Sequence, residues 1–122
     1  RIPCLWLPSG AKTFIATYFP DASCIYAERE REDGHREFEV KLSDGTDIEF
    51  HASGEWKKVD CGYSFLPAGI VPAAIVEDLA VRYPGAKIYK AERERGGYEI
   101  KITGGLELIY SADGTFVRED MY

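Results

Sequence analysis

The chain has 122 residues, with 21 acidic and 15 basic side chains and a net charge of −6 at neutral pH. This length supports one compact domain or two small halves, and a hydrophobic content of 45% is typical of a folded protein. The acidic balance argues against a nucleic-acid partner, because phosphate binding requires a clustered cationic surface. No apolar run approaches the roughly 20 residues of a membrane span.

The sequence contains an internal repeat. Residues 27–31 (AERER) recur as residues 91–95, and residues 38–42 (FEVKL) correspond to residues 98–102 (YEIKI). The second copy is shorter at a single place, between these two segments. A loss confined to one spot marks a loop between two retained elements. We therefore predict a first copy at residues 1–61, a linker at residues 62–71 and a second copy at residues 72–122.

Each copy is predicted to begin with a helix. Pro8 and Pro72 suit a first helical turn, because the N–H that proline lacks has no partner there. Apolar side chains then recur at helical spacing in each copy: Ala11, Phe14, Ile15 and Tyr18, then Ile75, Leu79 and Tyr83. We expect the polar residues of the second helix, Glu77, Asp78 and Arg82, to face water.

Four strands are predicted to follow each helix, the first at about residues 24–31 and 88–95. In the second strand of each copy, apolar and charged residues alternate with the period of a half-buried antiparallel strand. Three-residue loops that end in glycine would then connect the second and third strands. These loops pair Val40 with Ile48, and Ile100 with Leu108, on one face of the sheet.

The hairpin between the third and fourth strands has two possible registers. A three-residue loop at residues 52–54 pairs Phe50 with Trp56 and buries both side chains. A two-residue turn would instead expose Trp56 and bury Val59. The second copy poses the same choice for Phe116. We favour the three-residue loop. The other register would place Trp56 and Phe116 on the outward face of the sheet.

The three cysteines are an odd number, so at least one thiol is unpaired within the chain. Cys24 and Cys61 take the positions of Ile88 and Met121 of the second copy, which favours buried apolar residues over a disulfide framework. A meander would also separate Cys24 from Cys61 by roughly 14 Å, whereas a disulfide tolerates only about 7 Å between Cα atoms. A bridge between Cys4 and Cys61 remains open.

No catalytic or metal-binding motif is recognisable in the sequence. The two histidines, His35 and His51, are expected on the surface, and no Cys or His pair has the spacing of a zinc site. The serines lack the glycine context of a nucleophile elbow. We therefore expect no enzymatic activity, no cofactor and no metal site.

Acidic side chains are expected to face each other on the second and third strands of the first copy. Facing carboxylates could coordinate calcium. Alternatively they form a solvated face that lysines neutralise: Lys41, Lys57 and Lys58. The second copy favours the solvated face, because Ile109 replaces Glu49 there and the acidic cluster is not rebuilt.

The sequence resembles the PepSY-like family, also described as putative beta-lactamase-inhibitor-like. The resemblance rests on a Leu-Pro pair, an aromatic-Pro-x-Ala motif and the segments EVKLSDGTDIEF, SGEWKKVD and YPGAKIYKAE, and it extends from about residue 7 to residue 120. It implies an α+β fold in which two tandem α-β4 repeats form one antiparallel sheet of about eight strands, with the helices on one face. It also implies a periplasmic or secreted bacterial protein. A first residue other than methionine agrees with the removal of a signal peptide.

The function that we predict is a non-enzymatic exported binding module whose exposed sheet face engages another exported protein or peptide. The nine residues expected to line this face are Glu37, Glu39, Lys41, Asp47, Glu49, Glu99, Lys101, Glu107 and Ile109. Inhibition of a peptidase or another exported enzyme is a narrower version that rests on the resemblance alone. The alternative is a periplasmic carrier of a small ligand or metal ion. In the less favoured register Trp56 and Phe116 would be the natural anchors of this face, and a buried Trp56 would remove them and weaken the first hypothesis.

Overall fold

A computed structural model describes residues 1–32, 34–94 and 96–121 of the chain. A 3-10 helix at Cys4–Trp6 precedes two α-helices and eight strands: α1 Ser9–Tyr18, β1 Cys24–Glu32, β2 His35–Leu42, β3 Asp47–His51, β4 Trp56–Asp60, α2 Ala73–Arg82, β5 Ile88–Glu94, β6 Gly97–Ile102, β7 Leu106–Ser111 and β8 Phe116–Met121. The strands form one antiparallel sheet in the order β1 to β8. The predicted α+β fold is confirmed. Arg95, the last residue of the predicted fifth strand, lies outside the described residues.

The chain divides into two compact units, unit 1 (Arg1–Asp60) and unit 2 (Cys61–Tyr122). Each unit has one α-helix followed by four strands. Pro8 and Pro72 lie one residue before their helices, and the carbonyl of each accepts a hydrogen bond from the first helical turn, at 3.0 Å from Ala11 and 3.1 Å from Ile75. The prolines therefore precede the helices rather than occupying their first turn.

The predicted registers of the second and third strands are confirmed in both units. Val40 pairs with Ile48, and Ile100 pairs with Leu108. The N–H of Leu42 donates to the carbonyl of Thr46 at 2.9 Å, which closes the predicted three-residue loop. Both loops end in glycines of positive φ, as a left-handed bulge position requires. All four paired residues are buried, so one face of each hairpin lies in the core.

The hairpin between β3 and β4 resolves the choice of register through a bulge. Phe50 pairs with Trp56, as the three-residue loop predicts, but Glu49 pairs with Lys58, so Lys57 is an extra residue in β4. The extra residue restores the inward direction of the next apolar side chain. Trp56 and Val59 are therefore both buried, whereas each simple turn could bury only one of them. An equivalent bulge follows Phe116 in β8.

In unit 1, α1 packs on the sheet through an aromatic cluster. The ring of Phe14 lies 5.5 Å from that of Phe50, nearly perpendicular to it, and 6.5 Å from the ring of Trp56. The first turn of α1 also approaches the loop after β3 closely. A Cβ atom added to Gly54 would lie 3.2 Å from the backbone of Gly10 and Ala11, and Gly54 has a φ of 93°. Glycine is therefore required at this contact.

In unit 2, α2 packs on the sheet through a polar network. The hydroxyl of buried Tyr110 donates a hydrogen bond to Asp78 at 2.6 Å, and Arg82 donates to the same carboxylate at 3.0 Å. The guanidinium of Arg82 also lies 3.5 Å from the ring centroid of Phe116. Arg82 is exposed, as predicted, whereas Asp78 is half-buried and bonded to Tyr110, so the prediction that Asp78 faces water is wrong. The buried phenol needs an acceptor, and the helix supplies one.

The cysteine predictions are partly wrong. Cys4 and Cys24 form a disulfide, with 6.3 Å between their Cα atoms, and Cys61 is a buried free thiol. The N–H of Ile2 donates to the carbonyl of Ala27 at 2.9 Å, so the N-terminal segment lies beside β1. This pairing brings Cys4 to the start of β1, and it excludes the Cys4–Cys61 bridge.

The outward face of the sheet as a candidate binding surface

The nine predicted face residues lie on the second and third strands of each unit: Glu37, Glu39 and Lys41 on β2, Asp47 and Glu49 on β3, Glu99 and Lys101 on β6, and Glu107 and Ile109 on β7. They alternate with the buried residues that face the helices. We call these nine residues the outward face. The structure brings them together as cross-strand pairs within each unit: Glu39 with Glu49, Lys41 with Asp47, Glu99 with Ile109, and Lys101 with Glu107.

Lysines neutralise several acids of the outward face in unit 1, as predicted. Lys41 lies 3.1 Å from the carboxylate of Asp47, and Lys58 lies 2.6 Å from that of Glu49. Because these side chains remain partly exposed, each pair contributes little to stability. Their effect is to remove net charge from this part of the face.

Glu37 is not an exposed member of the face, contrary to the prediction. Its side chain is 6% exposed, and Lys57 donates a hydrogen bond to its Oε2 at 2.9 Å. The bulge in β4 explains the burial, because it adds Lys57 at the end of the sheet nearest Glu37. The Nδ1 atom of His51 lies 3.8 Å from the same Oε2 atom. Glu37 is therefore a structural residue at the margin of the outward face.

Glu39 lies among acids. Its Cα partners on the neighbouring strands are Glu28 on β1 and Glu49 on β3. Partial burial raises the pKa of Glu39, and the negative charges of Glu30, Glu49, Asp47 and Glu28 raise it further. Like charges directly opposite each other destabilise a sheet, so we expect Glu39 to lower the stability of unit 1 at neutral pH.

Unit 2 repeats this arrangement at Glu99. Glu99 pairs with Glu92 on β5, and partial burial raises its pKa, followed by the charges of Glu94, Glu107 and Glu92. Within residues 1–32, 34–94 and 96–121, no lysine or arginine forms an ion pair with Glu39 or Glu99. We call the facing residues Glu28, Glu39, Glu92 and Glu99 the glutamate pairs. Glu28 and Glu92 escaped the sequence prediction, because they join the face only through the register between the first and second strands.

The two aromatic anchors considered above, Trp56 and Phe116, do not lie on the outward face. Trp56 is 6% exposed and packs against Phe14, while Phe116 is half-buried beneath Arg82. The burial of Trp56, which was predicted, weakens the binding hypothesis because it removes an aromatic side chain that could insert into a partner. What remains is a charged surface whose one apolar member, Ile109, is half-buried.

The described residues contain no group of three or more His, Cys, Asp and Glu side chains arranged to hold a metal ion. His35 and His51 are exposed, as predicted. Among the described helices, none is long and apolar enough to span a membrane.

Three crystal structures of Bacteroides proteins are similar to the chain over nearly its whole length. A putative periplasmic protein of Bacteroides vulgatus is 35% identical, with a TM-score of 0.92, and the match covers 98% of this chain and 94% of that one. A putative calcium-regulated periplasmic protein of Bacteroides thetaiotaomicron is 32% identical, with the same coverage and TM-score. A second putative periplasmic protein of B. vulgatus, of unknown function, is 31% identical, with a TM-score of 0.94 and coverage of 98% and 96%.

No protein with a curated description matches the sequence significantly. Residues 36–118, which contain β3 to β7 in full and parts of β2 and β8, match the model of one protein family. The chain belongs to the PepSY-like family, described as putative beta-lactamase-inhibitor-like.

Proposed function

We propose that the chain is a non-enzymatic exported binding module that holds a basic segment of another exported protein against its outward face. The glutamate pairs carry this proposal. Glu39 and Glu99 occupy the same position in two units, face another glutamate in each and have a raised pKa. An arrangement that lowers stability, present in both units, is explained by a cationic partner that relieves the repulsion.

The charge of the chain also supports a cationic partner. A net charge of −6 attracts basic surfaces at long range, and partly buried carboxylates then form short, charge-assisted hydrogen bonds with arginine or lysine. Such binding weakens as salt concentration rises, because exposed charges are screened. Inhibition of a peptidase or of another exported enzyme is a narrower form of the same proposal.

An exported location is supported by the relatives and by the disulfide. All three similar crystal structures are of proteins named as periplasmic. A disulfide between Cys4 and Cys24 persists in an oxidising compartment such as the bacterial periplasm.

A carrier of calcium is the second candidate. It is favoured by one observation, that a relative 32% identical to the chain is named as calcium-regulated. A ligand that binds only the folded state raises the melting temperature once its concentration exceeds its Kd. A rise with calcium but not with magnesium, abolished in Glu39→Gln and Glu99→Gln, would favour the carrier over the binding module.

The binding module is tested by affinity capture from the periplasmic fraction of a Bacteroides species, at low and at moderate salt. The informative variant is Glu39→Lys/Glu99→Lys, which reverses the charge of the equivalent glutamate of the outward face in each unit. We expect the wild type to retain a defined protein that this variant loses.

The matched control is Asp21→Lys/Glu55→Lys. It makes the same change in net charge at two exposed positions in loops. The control should retain the captured protein. If the control loses the protein as readily as the face variant does, the interaction depends on overall charge and not on the outward face.

A further inference from the structure

Two cavities lie at equivalent places in the two units. Each is enclosed by the segment before the α-helix, the helix itself and the start of the first strand. The cavity of unit 1 has a volume of about 470 Å³ and that of unit 2 about 500 Å³. Their walls share equivalent residues of the repeat: Leu7, Ile15 and Cys24 in unit 1, and Val71, Leu79 and Ile88 in unit 2. Both volumes fall in the range of small-molecule sites.

The cavity of unit 2 has apolar walls and two charged side chains. Phe65 and Val76 line it and are 49% and 48% exposed, so apolar surface is open to solvent there. Its charged lining residues are Glu77 and Lys87. The ammonium of Lys87 lies 5.7 Å from the ring centroid of Phe65, which places it beside this open apolar surface. In the described part of the chain, neither Glu77 nor Lys87 forms an ion pair.

The cavity of unit 1 lacks this combination. The repeat places Lys12, Thr13 and Ser23 where unit 2 has Val76, Glu77 and Lys87. The ammonium of Lys12 donates a hydrogen bond to the carbonyl of Leu5 at 3.1 Å, so it is already engaged. Among the described residues, no carboxylate side chain lines this cavity, and the Cys4–Cys24 disulfide forms part of its wall. The charges of both signs are therefore particular to unit 2.

We propose that the cavity of unit 2 binds a small zwitterionic ligand with an apolar body, of the size and chemistry of a dipeptide of two aliphatic residues. The apolar body contacts the walls at Val71 and Leu79, its ammonium pairs with Glu77, and its carboxylate pairs with Lys87. A ligand with a single charge would leave one of the two side chains without a partner. This site is independent of the outward face and of its proposed function.

Two physical effects support this ligand class. Removing aliphatic side chains of the ligand from water is favourable in proportion to the apolar area buried. Charge-assisted hydrogen bonds are stronger than neutral ones, and a pair of them with opposite polarity fixes the orientation of the ligand. Because Glu77 and Lys87 are both exposed, the free protein keeps them hydrated at no cost to its fold.

The test is calorimetric titration of the full chain with the dipeptide Leu-Leu. Three variants convert unit 2 to the residues of unit 1: Val76→Lys, Glu77→Thr and Lys87→Ser. We expect each to weaken binding by about tenfold or more, the effect of losing one charge-assisted hydrogen bond or of filling the apolar mouth. The matched control is Val81→Lys, on the same helix but outside the cavity and 84% exposed, which should bind as the wild type does.

Two single-charge probes separate the zwitterion from simpler ligands. Octanoate can use only Lys87, and octylammonium can use only Glu77, so we expect both to bind about tenfold more weakly than Leu-Leu. The proposal is overturned if either probe binds as tightly as the dipeptide, if the three variants leave dipeptide binding unchanged, or if millimolar dipeptide gives no saturable heat. Glu77→Thr and Lys87→Ser change exposed residues, so they keep the test valid even if Val76→Lys does not fold.

Discussion

In the two units of this protein, the α-helix contacts the third strand of its unit, β3 or β7, through different side chains at equivalent positions. In unit 1, Phe14 packs edge-on against Phe50, 5.5 Å away. In unit 2 the same positions hold Asp78 and Tyr110, which form a hydrogen bond of 2.6 Å that Arg82 supports. The first contact is apolar, and the second is polar and charged.

This difference teaches that register, rather than a particular chemistry, positions the helix. Each contact lies beside an equivalent bulge of its unit. Phe50 pairs with Trp56 at the bulge of unit 1, and Tyr110 pairs with Phe116 at that of unit 2. Once Tyr110 places a buried hydroxyl at this point, an acceptor is required, and the acceptor is stabilised by a cation. The polar contact therefore requires Tyr110, Asp78 and Arg82 together, whereas the apolar contact requires only side chains of complementary shape.

Removal of the Cys4–Cys24 disulfide of unit 1 is expected to change the free energy of unfolding most. Unit 2 has Ala68 and Ile88 where unit 1 has the Cys4–Cys24 disulfide. The bridge spans a sequence separation of 20 residues, and closing a loop of this order stabilises a fold by about 3 kcal/mol. We expect Cys4→Ser/Cys24→Ser to lower the free energy of unfolding in urea by about that amount. Dithiothreitol should lower the stability of the wild type but not of this variant, and a variant as stable as the wild type would contradict the link.

The aromatic contact of unit 1 is expected to come next. Phe14→Ala should lower the free energy of unfolding by about 2–3 kcal/mol, below the range for a fully buried phenylalanine because Phe14 is half-buried. Thermal and urea denaturation measure the loss. Phe14→Leu keeps most of the apolar volume and should recover most of it. A loss below about 1 kcal/mol in Phe14→Ala would mean that the cluster does not fix α1.

Exchanging the hydroxyl between units distinguishes the two contacts directly. Tyr110→Phe should cost about 1 kcal/mol by leaving Asp78 with one donor fewer, and Phe50→Tyr should cost about 1–3 kcal/mol by burying a hydroxyl near the ring of Phe14. Urea denaturation of each variant measures these changes in the free energy of unfolding. Equal stability of wild type and Phe50→Tyr would show that unit 1 tolerates a polar contact without the matching acid.

The pH dependence of stability follows from the same pair. Burial and the carboxylate of Asp78 raise the pKa of Tyr110, so the folded state favours the neutral phenol. Its contribution is therefore present below the unfolded pKa of about 10 and is lost as pH rises towards the folded value. Arg82 and then Tyr110 lower the pKa of Asp78, so that contribution is lost at the acid end instead. Tyr110→Phe should remove part of the alkaline loss measured by melting temperature against pH, and Tyr63→Phe, at a fully exposed tyrosine, should not.

The glutamate pairs give the smallest expected change in stability. Glu39→Gln and Glu99→Gln should each raise the free energy of unfolding at pH 7 by about 0.5 kcal/mol, because they remove a charge that faces another glutamate. Since both pKa values are raised in the folded state, the gain should disappear as pH falls through the range where the glutamates become protonated. Glu55→Gln, at an exposed loop residue, is the control. If Glu39→Gln or Glu99→Gln is less stable than the wild type at pH 7, the replaced carboxylate makes a favourable interaction in the folded state and is not repelled by its neighbours.

The alternation of residues and the glycines of the turns were enough to predict the strands and the register between the second and third strands of each unit. The pairing of Val40 with Ile48 depends only on local spacing, and it was correct. The bulge at Lys57 was missed, because both simple turns left one of Trp56 and Val59 exposed and no local signal announces an extra residue. The consequence for the candidate site was that Glu37 became buried.

Long-range features were beyond local reasoning. The Cys4–Cys24 disulfide requires the N-terminal segment to pair with β1, and no periodicity marks that segment as extended. The hydrogen bond between Tyr110 and Asp78 joins a strand to a helix. The sequence pattern assigns Tyr110 to the core and Asp78 to the solvent-exposed side of the helix. It therefore did not suggest that the two side chains form a hydrogen bond.

The outward face is tested most directly by mapping where the captured protein, or a basic peptide taken from it, binds the chain. Backbone amide spectra recorded during titration report this position residue by residue. We predict that the shifted amides lie on β2 and β6, around Glu39 and Glu99, and that Glu39→Gln/Glu99→Gln weakens the shifts. Shifts confined to α1 and α2, with none around Glu39 or Glu99, would contradict the proposed binding face.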